Sequence, residues 1–360
     1  MSKSKNKYVY LITILFVLLA AAAITTIIAL KKQGNQPKKV EYTAVSAEKF
    51  MMDTFVKQTT YDQSADAKQK LEDMFSYLTE FEKKVSMHLS DSEISKVNNS
   101  AGVSAVAVSD ETYQLLKRSK ELSQQSNGIF DITIGPLVKL WGITSDSPRV
   151  PEDSEIKNYL KRVGISKLSL NDEKKTAKLT NPYMEIDLGG IAKGYTSSKV
   201  MDIFKENGVS SAVISLGGNV QTLNGKPDGS DWRVAVENPA DTGSYIGVLS
   251  IKDKAVITSG GYERYFKQDG KTYHHIIDPA NGYPANNGLT SVTIVSDDGT
   301  LADGLSTSLF IMGAEKAQKY WKEHSDEFDT ILVKDDGSIL VSEGLAEYFT
   351  SESDFTIIKK

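Results

Sequence analysis

Residues 8–30, YVYLITILFVLLAAAAITTIIAL, carry no charged side chain. Inside a lipid hydrocarbon core every backbone N–H and C=O must be paired within the segment itself, so a run of this kind has one workable conformation, the α-helix. At about 1.5 Å per residue it reaches across a core of roughly 30 Å. A cleavable signal usually has an apolar stretch of only about 7–15 residues, which favours an uncleaved transmembrane anchor. The small residues of LLAAAA keep a signal peptide open as the alternative. Lys3, Lys5 and Lys7 precede the run, and Lys31, Lys32, Lys38 and Lys39 come after it. Basic residues on both flanks give the positive-inside rule little to discriminate. The expected organisation is a cytoplasmic basic segment 1–7, an anchor 8–30, a polar linker 31–44 and a body 45–350. A signal-like N-terminus normally exports the chain behind it, which puts the body on the extracytoplasmic side of the cell membrane.

The 360-residue chain has no cysteine. Disulfides, thiolate zinc sites, Cys nucleophiles and a lipid-modified N-terminal Cys are therefore excluded. Net charge is −5, with no long basic block after residue 40, which argues against a nucleic-acid partner. Leu71, Met74, Phe75, Leu78, Phe81 and Val85 recur at three- and four-residue spacing and predict an amphipathic helix with a charged outer face. Residues 110–126 read as a second helix. From 165 to 300 the pattern is strand-like: a hairpin over 167–180, strands at 183–188, 211–216, 232–236, 247–251, 255–259 and 291–295. Residues 301–323 return to helix, and 330–342 close as a hairpin turning at Asp336-Gly337. Strands and helices mix without regular alternation, so the class is α+β with mixed and antiparallel sheets.

Three stretches carry chemistry. In EIDLGGIAKGYTSSKV, residues 185–200, a strand meets Gly189-Gly190 and a helix begins near Ile191. Glycines admit close backbone approach, a helix start offers N–H groups to an anion, and Lys193 adds positive charge. A plain strand–helix turn is the alternative. Neither the P-loop nor the G-x-G-x-x-G spacing is present. In LADGLSTSLFIMG, residues 301–313, Asp303 and Thr307 lie one helical turn apart and suit a hard cation such as Mg2+; otherwise Asp303 is an N-cap. In YHHIIDPANGYP a strand ends in two histidines before a turn. On a strand the neighbours His274 and His275 face opposite ways, so one at most enters a given site, where it could take a proton from a hydroxyl. SNGIFDITIGPLVKLWG reads as a ligand-lining loop or a buried turn, and TSGGYERYF as a ligand segment or a bulge. No zinc-peptidase or α/β-hydrolase motif occurs.

Taken together and in order, MDT (52–54), SEISKVN (92–98), GIFDITIGPLVKLWG (128–142), DLGGIAKGY (187–195), LGGN (216–219), TSGGYERYF, HHIIDPANGYP and ADGLSTSLFIMG closely resemble the ApbE family of FAD:protein FMN transferases. The resemblance covers about 45–345. It implies a T-fold-like core with flavin in a deep cleft. It also implies Mg2+-dependent transfer of FMN from FAD to a Thr or Ser hydroxyl of an extracytoplasmic acceptor flavoprotein, releasing AMP. An FAD pyrophosphatase, and a non-enzymatic flavin-binding protein, are the other readings. Carried over by position, Asp303, Thr307 and the Gly190 carbonyl would hold Mg2+. Met52, Ile129, Phe130, Asp131, Asp187, Lys193 and Ile277 match flavin-contacting positions, and His275 matches the base that activates the acceptor hydroxyl. Arg264 and Asp278 are expected nearby. His88 stands where many relatives place a stacking Tyr.

Overall fold

The computed structural model describes residues 25–26 and 42–360. The basic segment, most of the linker and the 8–30 run apart from helical Thr25 and Thr26 lie outside the described residues. Among the described residues no helix is long and apolar enough to cross a membrane. The body, Thr43–Lys360, is a unit of its own.

It opens with the hairpin β1 (Val45–Met51) and β2 (Thr54–Thr60), followed by α1 (Ala67–Val85) and α2 (Glu93–Asn99). The short strand β3 (Val106–Ala107) leads to α3 (Asp110–Gln125), α4 (Gly135–Trp141) and α5 (Asp153–Leu160). The hairpin β4 (Leu168–Asn171) and β5 (Thr176–Leu179) precedes α6 (Ala192–Glu206). Strands then dominate: β6 (Ala212–Leu216), β7 (Asn219–Leu223), β8 (Trp232–Asn238), β9 (Asp241–Ile251), β10 (Ala255–Gly260), β11 (Tyr265–Gln268), β12 (Lys271–His274) and β13 (Leu289–Ser296). The chain closes with α7 (Gly299–Met312), α8 (Ala314–Glu323), β14 (Asp329–Lys334), β15 (Ile339–Ser342), β16 (Phe349–Thr350) and β17 (Thr356–Ile358).

Nine strands form the central sheet in the order β1-β2-β6-β7-β10-β13-β14-β15-β17. Its pairs are antiparallel except β15 with β17, which is parallel. Side-chain alternation sends the two faces to different covers. Ala255, Ile257, Val292, Ile294 and Leu332 join the helical core with Leu305 and Leu309 of α7. Val256, Val295, Ile331 and Val333 face Val234, Val236, Leu249 and Ile251 of the small sheet β16-β9-β8. At the other end Val56, Ile214 and Leu216 pack on Leu71, Phe75 and Leu78 of α1 and on Val200 and Phe204 of α6. Each such side chain contributes roughly 1.5–3 kcal/mol by leaving water. The predicted spacing of α1 is thus its buried stripe.

Four expectations need correction. Residues 183–188 are not a ladder strand. Only Glu185 bridges Ile134, because the backbone N–H of Ile186 donates to the Asn98 side chain and that of Asp187 to Ile132 O. The helix expected over 301–323 is two, broken at Gly313 with φ 77°. The 128–142 stretch holds a short helix, α4, whose start Pro136 tolerates because its missing N–H has no partner there. The 350 boundary falls short, since residues 356–358 supply the ninth strand.

Candidate active site

The crossing of α6 and α7 places the central carboxylate. A Cβ on Gly194 would lie 2.1 Å from Gly299 O and 2.5 Å from Asp303 Cβ, so only glycine permits this approach. Contact this close lets the Gly194 N–H donate to Asp303 Oδ2 at 2.7 Å. From the β6–β7 hairpin, Asn219 Nδ2 donates to Asp303 Oδ1 at 3.1 Å. Asp303 is 4% exposed. Burial raises its carboxyl pKa, and the Lys193 ammonium opposes that rise. It is not an N-cap: Asp298 caps α7, accepting from the N–H groups of Thr300 and Leu301.

Thr307 comes one turn later. A Cβ on Gly190 would sit 3.5 Å from Thr307 Oγ1 and 3.4 Å from Phe130 Cε2, which puts the Gly190 backbone beside the hydroxyl. Ser259 Oγ is 3.4 Å from the same hydroxyl and 2.7 Å from Ser306 Oγ. Among the described residues no cluster of three acidic, His or Cys side chains exists. One buried carboxylate and one hydroxyl, with the Gly190 backbone beside it, suit a hard divalent ion that completes its shell with water and phosphate oxygens. The oxygens of Asp303 each accept one hydrogen bond from protein, and a carboxylate has about four acceptor sites, so capacity for a cation remains.

The residues carried over as metal, flavin and base positions line one cavity of about 1020 Å³: Asp303, Thr307, Gly190 and Lys193; Asp187, Asp131 and His275; Met52, His88, Ile129, Phe130 and Ile277. Their environments differ. Asp187 is held by the Gly189 N–H at 2.8 Å, and desolvation raises its pKa while that hydrogen bond and the Arg264 guanidinium lower it. The Asp131 carboxylate is occupied with its own loop, accepting from the Thr133 N–H and hydroxyl and from the Ile165 N–H. It is a brace, and burial raises its pKa. Met52 and Asp53 form a two-residue turn with φ 51° and 56°, beside the Gly217-Gly218 turn with φ 56° and 94°. A Cβ on Gly217 would meet Thr54 Oγ1 at 2.2 Å, so the two hairpins lock at the cavity rim.

The adjacent histidines do separate. His274 Nε2 lies 2.7 Å from Ala285 O, which only accepts, so Nε2 carries the proton and Nδ1 accepts from the Ile276 N–H. Both its nitrogens are engaged inside the protein. His275 faces the cavity. Its Nδ1 lies 3.3 Å from Arg264 O, which fixes the proton on Nδ1 and leaves the Nε2 lone pair free. The ring is half-buried. Desolvation, followed by Arg264, His274 and Lys193, lowers its pKa to about 4. Neutral His275 is therefore the form present at neutral pH. Asp278 is absent from the lining. Its carboxylate accepts from the Ala280 N–H and from Asn281 Nδ2 in the turn that re-aims the chain after His275.

Sequence reasoning missed Ser259, Tyr262 and Glu263, which also line the cavity. Glu263 lies within the fields of Lys193, Arg264 and Asp303, and burial raises its pKa. The signal was its place in TSGGYERYF, which alone does not separate a ligand segment from a bulge.

Residues 52–332 match the model of the ApbE family. The chain is 37% identical over 270 residues to an FAD:protein FMN transferase of Klebsiella pneumoniae, covering 75% of this chain and 83% of that one. It is 33% identical over 298 residues to one from Treponema pallidum, covering 79% and 82%. Among solved structures, the ApbE protein of Thermotoga maritima superposes with a TM-score of 0.79 at 32% identity, over 85% of this chain and 99% of that one. The flavin transferase ApbE of Vibrio cholerae does so with 0.77 at 30%, again over 85% and 99%. With a family match across most of its body and relatives this similar over most of their length, this chain belongs to the ApbE family.

Proposed function

We propose that this chain is an FAD:protein FMN transferase. In this reading it moves the FMN moiety of FAD onto a Thr or Ser hydroxyl of an acceptor flavoprotein and releases AMP. The observation that carries the reading is the meeting, in one cavity, of a buried carboxylate–hydroxyl pair, Lys193 and a histidine with one free nitrogen. Asp303, Thr307 and the Gly190 carbonyl would hold Mg2+, which when bound offsets the charge of the diphosphate and polarises it. Lys193 adds a fixed positive charge to the same oxygens. Met52, Ile129, Phe130 and Ile277 offer apolar surface to the flavin, and His88 an imidazole face.

His275 Nε2 accepts the proton of the acceptor hydroxyl. The hydroxyl oxygen forms a bond to the FMN phosphorus while the bond from that phosphorus to the bridging oxygen breaks. AMP leaves with the bridging oxygen. A positioned base of this kind contributes about 10²–10⁴ in rate. The Arg264 carbonyl keeps the ring in the tautomer the step requires. We place the reaction outside the cytoplasm, on a body tethered by the 8–30 segment.

The test uses the body with FAD, Mg2+ and an apo acceptor verified as a substrate of the Vibrio cholerae enzyme. Intact mass spectrometry should show the acceptor heavier by one FMN moiety, with stoichiometric AMP. AMP release that ignores the acceptor, with no mass added, refutes the transferase reading in favour of a pyrophosphatase.

A further inference from the structure

The small sheet runs β16-β9-β8, so β8 has strand neighbours on one side only. Its ladder sets Arg233 opposite Ser250 and Ala235 opposite Val248. The Ser250 N–H points the other way, donating to Tyr348 O at 2.9 Å. In an antiparallel pair each residue's N–H and C=O share a direction, and the direction alternates along the strand. Arg233 and Ala235 therefore turn their N–H and C=O groups away from β9. Among the described residues no strand and no backbone hydrogen bond meets them there.

Folded proteins usually blunt such an edge, because it is a ready template for another strand. Here it borders the cavity. The groove there is lined by Arg233, Ala235 and Glu237 together with Val213, Ser215 and Gly218 of the β6–β7 hairpin. This groove leads to the chemistry. Glu237 acts on the Tyr262 phenol, whose pKa is raised first by burial and then by Glu237 and Glu263. Two residues beyond Tyr262, Arg264 holds His275 by its carbonyl.

We propose that the acceptor protein docks its hydroxyl-bearing segment in this groove as an added strand, paired to the free N–H and C=O groups of Arg233 and Ala235. The inference rests on the transferase reading above. A polypeptide suits the site better than flavin does. Donors and acceptors repeat there every second residue, which is the spacing of a strand, and an extended segment can carry a protein hydroxyl to a base on a cavity wall. Arg233 and Glu237, opposite in charge and four residues apart, bias the segment's direction by charge matching.

Hydrogen–deuterium exchange on the full body with FAD and the same acceptor tests this. Saturating acceptor should slow exchange in 232–238 by about tenfold or more, as added pairing does. In Ala235→Pro the ring removes an N–H that the β8–β9 ladder does not use, so the sheet is kept. Its KM for acceptor should rise at least about tenfold while kcat at saturating acceptor stays within about threefold. If that variant fails to fold, the exchange measurement on the unaltered chain decides. Transfer without slowed exchange in 232–238, or a folded Ala235→Pro with unchanged KM, overturns the inference alone. Slowed exchange at high enzyme concentration without acceptor means a second copy fills the groove, and also overturns it. No transfer by the unaltered chain overturns the transferase reading and this inference with it.

Discussion

Gly194→Ala tests whether the helix crossing sets the site. The added methyl would sit 2.1 Å from a backbone carbonyl, whereas ordinary contact starts at 3.4 Å. Gly299 O belongs to α7 and cannot swing aside, so the helices must part by roughly an ångström. That parting carries the Gly194 N–H out of reach of Asp303 Oδ2, now 2.7 Å away. Overpacking costs about 1–3 kcal/mol, and loss of a hydrogen bond to a charged group about 1.5–3. Alanine's better helix propensity returns about 1. The net loss is about 1.5–5 kcal/mol, which at roughly 2 °C per kcal/mol lowers Tm by about 3–10 °C. An ångström of misplacement at the carboxylate should cost on the order of 10²-fold in kcat. Differential scanning fluorimetry and a transfer assay read the two effects. Wild-type Tm refutes the packing argument. A lowered Tm with wild-type kcat refutes the claim that this crossing positions Asp303 for catalysis.

Mg2+ near 100 times its Kd should raise the Tm of the wild type by about 5 °C, from roughly 2.7 kcal/mol of linkage. Asp303→Asn should abolish that rise as well as transfer; a rise that persists places the metal elsewhere. For His275 the acid limb of kcat/KM should fall near pH 4, well below the ordinary histidine value of 6.5. The unfolded chain takes up that proton near 6.5 and the folded one near 4, so this group's stabilisation is complete above 6.5 and lost as pH falls toward 4. His275→Gln should remove both the limb and that part of the stability slope, and a limb at pH 6–7 refutes the desolvated imidazole. Gly217→Ala should cost about 1–3 kcal/mol through its clash with Thr54 and its left-handed backbone. Thr54→Ala should recover about half, read as non-additive midpoints in urea; strict additivity would mean the two hairpins do not lock.

Local patterns were legible where one interaction set dominates. The α1 stripe follows from burial alone, and every strand expected between 211 and 295 exists, because each buries at least one face. Residues 183–188 failed for the same physical reason the site works. Their N–H groups serve side chains and a loop, leaving this stretch irregular beside Gly189-Gly190. The separation of His274 from His275 came from strand geometry. The tautomer of each did not, since it depends on carbonyls eleven residues away in either direction. Asp131 shows the opposite limit. The motif placed it among flavin-contacting positions, and only the fold reveals that it lines the cavity with its oxygens already occupied by Thr133 and Ile165. The β1–β2 hairpin escaped notice because its turn, Met52-Asp53, lacks the usual Asn-Gly chemistry.

The charges in the cavity walls set how its ligands enter. Asp303 is buried and Asp187 half-buried, and desolvation works against both carboxylates. Lys193 offsets the first and Arg264 the second. Glu263 adds a further acid within reach of the same two cations, so the walls hold no surplus of positive charge before substrate enters. A diphosphate entering alone would bring more negative charge to a site already holding carboxylates. A divalent cation entering alone meets Asp303 but lacks the phosphate oxygens that complete its shell. If the site takes Mg2+ and FAD as proposed, each ligand would lower the cost of binding the other, and by linkage the coupling would be reciprocal. Met52 in its left-handed turn and the glycines at 190, 194 and 217 are the local strain and lost side chains that bring hairpins and helices close enough for Gly194 and Asn219 to hold one buried carboxylate.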